Sequence, residues 1–153
     1  MNERLNHAVI NAIEEIFQTM LGVKVESKIP IEKYINEVKY ELNVVIGILG
    51  ELSGAITLKS SKKLAIIIAS KMLNNKVEDD SDDMKDAVGE FLNIVMGAIK
   101  RHYSSSNPFD ISVPTTIIGG DYLVYTKASK QDKVSVINFN YNGNTFCVEI
   151  YLK

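Results

Sequence analysis

Asp86-Ala87-Val88-Gly89-Glu90-Phe91-Leu92-Asn93-Ile94-Val95-Met96-Gly97 repeats the apolar pattern of an earlier stretch, Asn11-Ala12-Ile13-Glu14-Glu15-Ile16-Phe17-Gln18-Thr19-Met20-Leu21-Gly22, with Glu and Gly at matching places. Each copy is followed by a short strand-like segment, a proline and a hairpin pattern, at residues 37–59 and 133–152. The repeat predicts a single domain over residues 1–153 built as a pseudo-twofold pair of halves, roughly 1–60 and 81–153, with an extra helix between them.

Working outward, Val9, Ile13, Ile16, Phe17 and Met20 recur at helical spacing and Gly22 closes the run, which predicts a helix over residues 4–21. Ser61 stands where a cap belongs, ahead of Leu64, Ala65, Ile67, Ile68 and Met72. Ser81 caps a third helix, with Asp82 and Asp83 in the first turn where the macrodipole favours negative charge, and it runs to about Tyr103. Strand patterns cover residues 24–29, 37–48, 55–59, 109–113, 122–127, 133–141 and 145–152. In the second of these Val38, Tyr40, Leu42, Val44, Ile46 and Ile48 share one face, and Asn142-Gly143 marks a tight hairpin turn. Helices stand between hairpins and do not alternate with single strands. The class is therefore α+β, a mainly antiparallel sheet against two long helices plus a third.

Composition narrows the function classes. Of the 153 residues 46% are hydrophobic and 24% charged, as in folded domains and unlike disordered chains. The 17 Lys and Arg against 19 Asp and Glu leave a net charge of -2, which gives no field to gather nucleic acid. Cys147 is the single cysteine, so an internal disulfide and cysteine-rich metal sites are excluded. No apolar run approaches the roughly 20 residues of a membrane helix, and the first residues lack a leader pattern. No membrane role and a cytoplasmic location are expected.

At about 100° per residue, Asp86, Glu90, Asn93 and Gly97 fall near one line along the third helix, opposite Ala87, Val88, Phe91, Leu92, Val95 and Ile99. The stripe should face solvent. Glu90 and Asn93 are close enough to touch one partner together, and Gly97 leaves room for it to approach. The Glu-x-x-Asn pair alone is weak, because 11 Glu and 13 Asn give about one such pair by chance, and Glu3 with Asn6 is a second.

The wider pattern is more specific. Asp86-x-x-x-Glu90-x-x-Asn93, with Gly89 and Gly97 around it and then Pro114-Thr115 with twenty residues between Asn93 and the proline, resembles the CheC, CheX and FliY family of phosphatases, nearest its CheX members. Val45-Ile46-Gly47-Ile48-Leu49-Gly50, Ser53-Gly54-Ala55-Ile56 and Ala69-Ser70-Lys71-Met72 resemble the family's strand-turn-strand-helix segment. The resemblance implies a phosphatase acting on a phosphorylated CheY-type response regulator. Asn93 would orient the attacking water and Glu90 would dock on the regulator's active-site lysine. Asp86 and Gly97 would complete the partner-binding stripe. The chain would need no cofactor of its own, since magnesium is expected in the partner. A noncatalytic module of the same fold, binding a signalling or flagellar switch partner, is the alternative.

CheC-like members carry two Glu-x-x-Asn helices, whereas the first copy here reads Glu15-x-x-Gln18. The added methylene moves the amide by about one bond length, and a displacement on the order of 1 Å can cost about 100-fold. Glu15 and Gln18 therefore read as a degenerate second site. His7 and His102 lack ligand spacing, Glu78 to Asp83 lacks the glycine and closing Glu of a calcium loop, and no metal is expected. Cys147 lies mid-strand without a paired His, and Gly47, Gly50 and Gly54 join strand to strand, which is no phosphate loop. The closing strand, residues 145–152, carries no proline to block an edge, so a homodimer with a continuous sheet is expected.

Overall fold

Helix α1 (Glu3–Leu21) begins where Asn2 Oδ1 accepts a hydrogen bond from Leu5 N at 2.9 Å. It ends at Gly22, whose φ of 67° lets its N–H and that of Val23 close on the carbonyls of Gln18 and Phe17. These are the start and stop read from the sequence. The structure, a computed structural model, describes residues 1–34, 40–104, 106–119 and 132–153. Among them the chain continues through β1 (Glu26–Ser27), β2 (Ile31–Tyr34), β3 (Leu42–Gly50), β4 (Gly54–Ser60) and α2 (Lys62–Leu73). Then follow α3 (Asp82–Tyr103), β5 (Phe109–Ile111), β6 (Thr115–Ile118), β7 (Lys133–Tyr141) and β8 (Asn144–Leu152). Ser61 and Ser81 cap α2 and α3 through Leu64 N and Met84 N, as their positions predict.

The strands form one antiparallel sheet in the order β1-β7-β8-β4-β3-β5, with β2 also on β7 and β6 also on β3. Hairpin β3–β4 thus meets hairpin β7–β8 at the β4–β8 pair. The short strands after α1 line β7, and those after α3 line β3. Each half lends its short strands to the other half's hairpin, so neither half could close its sheet alone. Asn142 and Gly143 turn the β7–β8 hairpin with φ of 49° and 85°, as a tight turn of that sequence requires.

The helices cover one face of the sheet. Leu42, Val44, Ile46 and Ile48 of β3, Ile56 and Leu58 of β4, and Phe146, Val148 and Ile150 of β8 are buried against Phe17, Phe91 and their helical neighbours. Phe17 stacks on Phe146 at 5.2 Å and meets Phe91 edge-on at 5.4 Å, which fixes α1 and α3 to the sheet and to each other. The contacts Arg4 over Tyr103 and Phe17 on Phe91 make the two helices antiparallel.

On the sheet's other face Val134, Val136 and Cys147 are buried with Tyr40 and Tyr151 against them. Beside them Lys59 Nζ lies 3.0 Å from Glu149 Oε2, both side chains buried. A charge buried there is tolerable because it is paired.

The α+β class and the antiparallel sheet stand. Several sequence expectations need correction. The strand expected over residues 37–48 is described from Leu42, residues 35–39 lying outside the described ones, and Tyr40 joins the cluster on the face away from the helices. Strands β2 and β6 were not expected, and the strand over residues 24–29 is reduced to Glu26–Ser27. Both missed strands follow a proline, a residue that reads as a connector in isolation, and both are short edge segments whose partner is remote in sequence. The strand expected over residues 122–127 lies outside the described residues. Finally, the closing strand is no edge: β8 is paired on both sides, with β7 and with β4. Its position at the end of the chain says nothing about its position in the sheet.

Candidate active site

Helix α3 buries Ala87, Val88, Phe91, Leu92, Val95 and Ile99, and this fixes what its other side presents. Asp86 and Glu90 are exposed, and Asn93 and Gly97 are half-buried along the same side. The stripe expected from helical spacing is therefore intact, with Glu90 and Asn93 one turn apart on one face. Among the described residues neither the Glu90 carboxylate nor the Asn93 amide has a hydrogen bond or ion pair within the chain. Both are free to meet a partner. A Cβ built on Gly97 would meet no atom within 4 Å, so packing within the chain does not demand glycine there.

Beside the stripe lies an open cleft of about 450 Å³. Lys85, Asp86, Gly89 and Glu90 of α3 form one wall, and Val113, Pro114 and Thr116 of the β5–β6 segment form the other. Thr116 Oγ1 donates to the Lys85 carbonyl at 3.3 Å, and a Cβ on Gly89 would lie 3.6 Å from Pro114 Cβ. Pro114, noted for its spacing from Asn93, is thus packed on the helix beside Glu90, whereas the Thr115 noted with it is exposed and its neighbour Thr116 makes the bond to α3. Sequence spacing pointed to Pro114 and Thr115 but did not show that their segment forms a wall of the site. Val113 was not singled out at all, since an exposed valine leaves no signal in periodicity.

The first copy is arranged differently. Gln18 is exposed on α1, but Glu15 is held by the last turn of α3, with Arg101 Nη2 at 2.6 Å and His102 Nε2 at 3.5 Å. Equivalent positions in sequence have unequal surroundings. His7 is exposed, and among the described residues no three His, Cys, Asp or Glu side chains form a group that could hold a metal ion. Cys147 is buried, and desolvation, with the Glu149 charge second, pushes its thiol up to about 11. That is the opposite of an activated nucleophile. No helix among the described residues is long and apolar enough to cross a membrane.

A family profile described as chemotaxis phosphatase CheX matches residues 42–140. The chain belongs to the CheX family. Comparison with curated protein sequences finds no match. Among solved structures, the chemotaxis protein CheX from Desulfovibrio desulfuricans is similar at a TM-score of 0.85 and 28% identity, covering 97% of this chain and 99% of its own. A CheC-like superfamily protein from Shewanella sp. PV-4 shares the fold at a TM-score of 0.85 and 24% identity, over 100% of this chain and 99% of its own. The CheX of the CheX–CheY–BeF3–Mg2+ complex from Borrelia burgdorferi shares it at 0.74 and 23%, over 96% of each chain. The family resemblance carried by the Glu90 and Asn93 pattern is thereby borne out as a family. The matched span includes both residues and leaves out Glu15 and Gln18.

Proposed function

We propose that this protein hydrolyses the aspartyl phosphate of a CheY-type response regulator in the cytoplasm, with Asn93 positioning the water and Glu90 docking the partner. The observation that carries the reading is the free carboxylate and amide one turn apart on an exposed helix face. Its counterpart on α1 offers a carboxylate already engaged and an amide one methylene too long. Family membership supplies the reaction class, and the Borrelia relative, whose complex includes CheY, supplies the class of partner.

The chemistry asks little of the chain. Asn93 accepts a hydrogen bond from the water through its side-chain oxygen and holds the water's oxygen in line with phosphorus. A bond forms from that oxygen to phosphorus as the bond to the aspartyl oxygen breaks, releasing carboxylate and inorganic phosphate, which takes up the water's proton. Glu90 pairs with the regulator's active-site lysine, a charge-assisted contact that is buried on binding and so worth more than a surface pair. Magnesium, bound by the regulator, neutralises the phosphoryl charge. Positioning the nucleophile in a neutralised site is what phosphoryl transfer needs. The active unit is a homodimer, joined at an edge remote from this cleft.

Incubating the protein with a panel of phosphorylated response regulators and measuring phosphate release tests the reading. One regulator should lose phosphate far faster than alone, and Glu90→Ala should weaken complex formation with it. Binding without release would support the noncatalytic module instead.

A further inference from the structure

We propose that Val113 is the apolar anchor of the docking surface, taking an apolar side chain from the receiver-domain loop that borders the acyl phosphate. This rests on the function proposed above and assigns a second determinant of partner choice beside Glu90.

Val113 is 84% exposed, and it lines the same cleft as Glu90 and Asp86. It is also held on both sides. Ser112 N donates to the Gly47 carbonyl at 2.9 Å while Gly47 N donates to Ser112 Oγ at 2.8 Å, clamping the residue before it to β3. The residue after it is Pro114, whose ring fixes φ and packs at Gly89, and Thr116 bonds to α3 beyond that. A β-branched side chain on so constrained a segment loses little freedom when covered, so its contact area goes into affinity.

The cleft is also wider than one carboxylate meeting one ammonium. A partner that brings a lysine to Glu90 brings the loop carrying that lysine, and the facing wall is Val113 with Pro114. An apolar side chain there buries apolar surface from both proteins. A polar one would give up water against the Val113 side chain, which offers it no hydrogen bond. The other exposed apolar side chains of the edge strands, Ile31 and Tyr34, lie on β2 at the opposite edge of the sheet, so they do not belong to this surface.

The test titrates full-length protein against CheY-type receiver domains loaded with beryllofluoride and magnesium, a stable mimic of the acyl phosphate. Val113→Ser should weaken Kd about tenfold, the cost of leaving a valine-sized contact unmade. The same variant should raise KM for phosphate release by more than it lowers kcat, while the thermal midpoint stays at the wild-type value. Val113→Ile should restore wild-type affinity. Wild-type affinity in Val113→Ser, beside a wild-type protein that binds and hydrolyses, overturns this inference alone. Failure of the wild-type protein to bind or hydrolyse any receiver overturns both this inference and the function beneath it.

Discussion

Arg101 Nη2 lies 2.6 Å from Glu15 Oε2, closing the carboxylate of the first helix against the last turn of the third. Both side chains keep solvent access, at 63% and 34%, so the pair is worth about 0.2–1 kcal/mol and docking could break it. The longer amide of Gln18 is the larger obstacle, on the order of 100-fold for a displacement of about 1 Å. Asn93→Ala should therefore lower phosphate release by about 100-fold or more with its fold intact. Glu15→Ala and Gln18→Ala should stay within about twofold of wild type. Equal losses at Gln18 and Asn93 would mean two working sites.

Gly97 separates stability from function. Interior helix glycine costs about 0.5–1 kcal/mol relative to alanine, and a Cβ at this position meets nothing within 4 Å. Gly97→Ala should raise the thermal midpoint by a few degrees and at the same time weaken regulator binding, because the methyl group stands on the docking stripe. A lower midpoint would show a packing role, and unchanged affinity would remove Gly97 from the interface.

Helix existence, the hairpins and the stripe were legible because each depends on local periodicity and on caps such as Ser81 and Gly22. The missed parts depend on pairing between distant segments. Nothing in Thr115 to Ile118 says that this stretch will lie against Leu42 to Val45, and nothing in Thr145 to Leu152 says that a hairpin from the other half will cover its free side. The site divides the same way. Glu90 and Asn93 share a helix and could be read from spacing, whereas Val113 reaches the cleft only through the β3 clamp and the Thr116 bond to α3.

The sheet face away from the helices should weaken in alkali. Burial, with the Glu149 charge second, raises the Cys147 thiol to about 11, and burial first, then Cys147, raises the Tyr40 phenol as well. Both are acids that lose their protons first in the unfolded chain. The Cys147 contribution is complete below about pH 9 and falls as pH rises toward 11, at up to about 1.4 kcal/mol per pH unit, and the Tyr40 phenol acts in the same direction at higher pH. Urea midpoints at pH 8 and pH 10 should show the drop, and Cys147→Ala should reduce it. Ready reaction of native protein with a thiol reagent at pH 8 would contradict the burial.

Self-association should use the edge formed by β1 and β2. One sheet edge, β5 and β6, flanks the cleft and must stay open for a regulator. At the other, Ile29 and Ile31 are exposed at 85% and 49%, two positions apart in an apolar row beside a strand edge that has no further partner among the described residues, and Tyr34 of β2 is exposed at 58%. Edges of this kind are normally covered or charged. Joining two copies there extends the sheet, covers the row and leaves both α3 stripes free. Sedimentation equilibrium at micromolar concentration should give about twice the 17.1 kDa of one chain, and Ile29→Lys with Ile31→Lys should return it to one chain without loss of helical signal. A wild-type mass of one chain would refute the dimer. A dimer untouched by the two lysines would place its interface elsewhere.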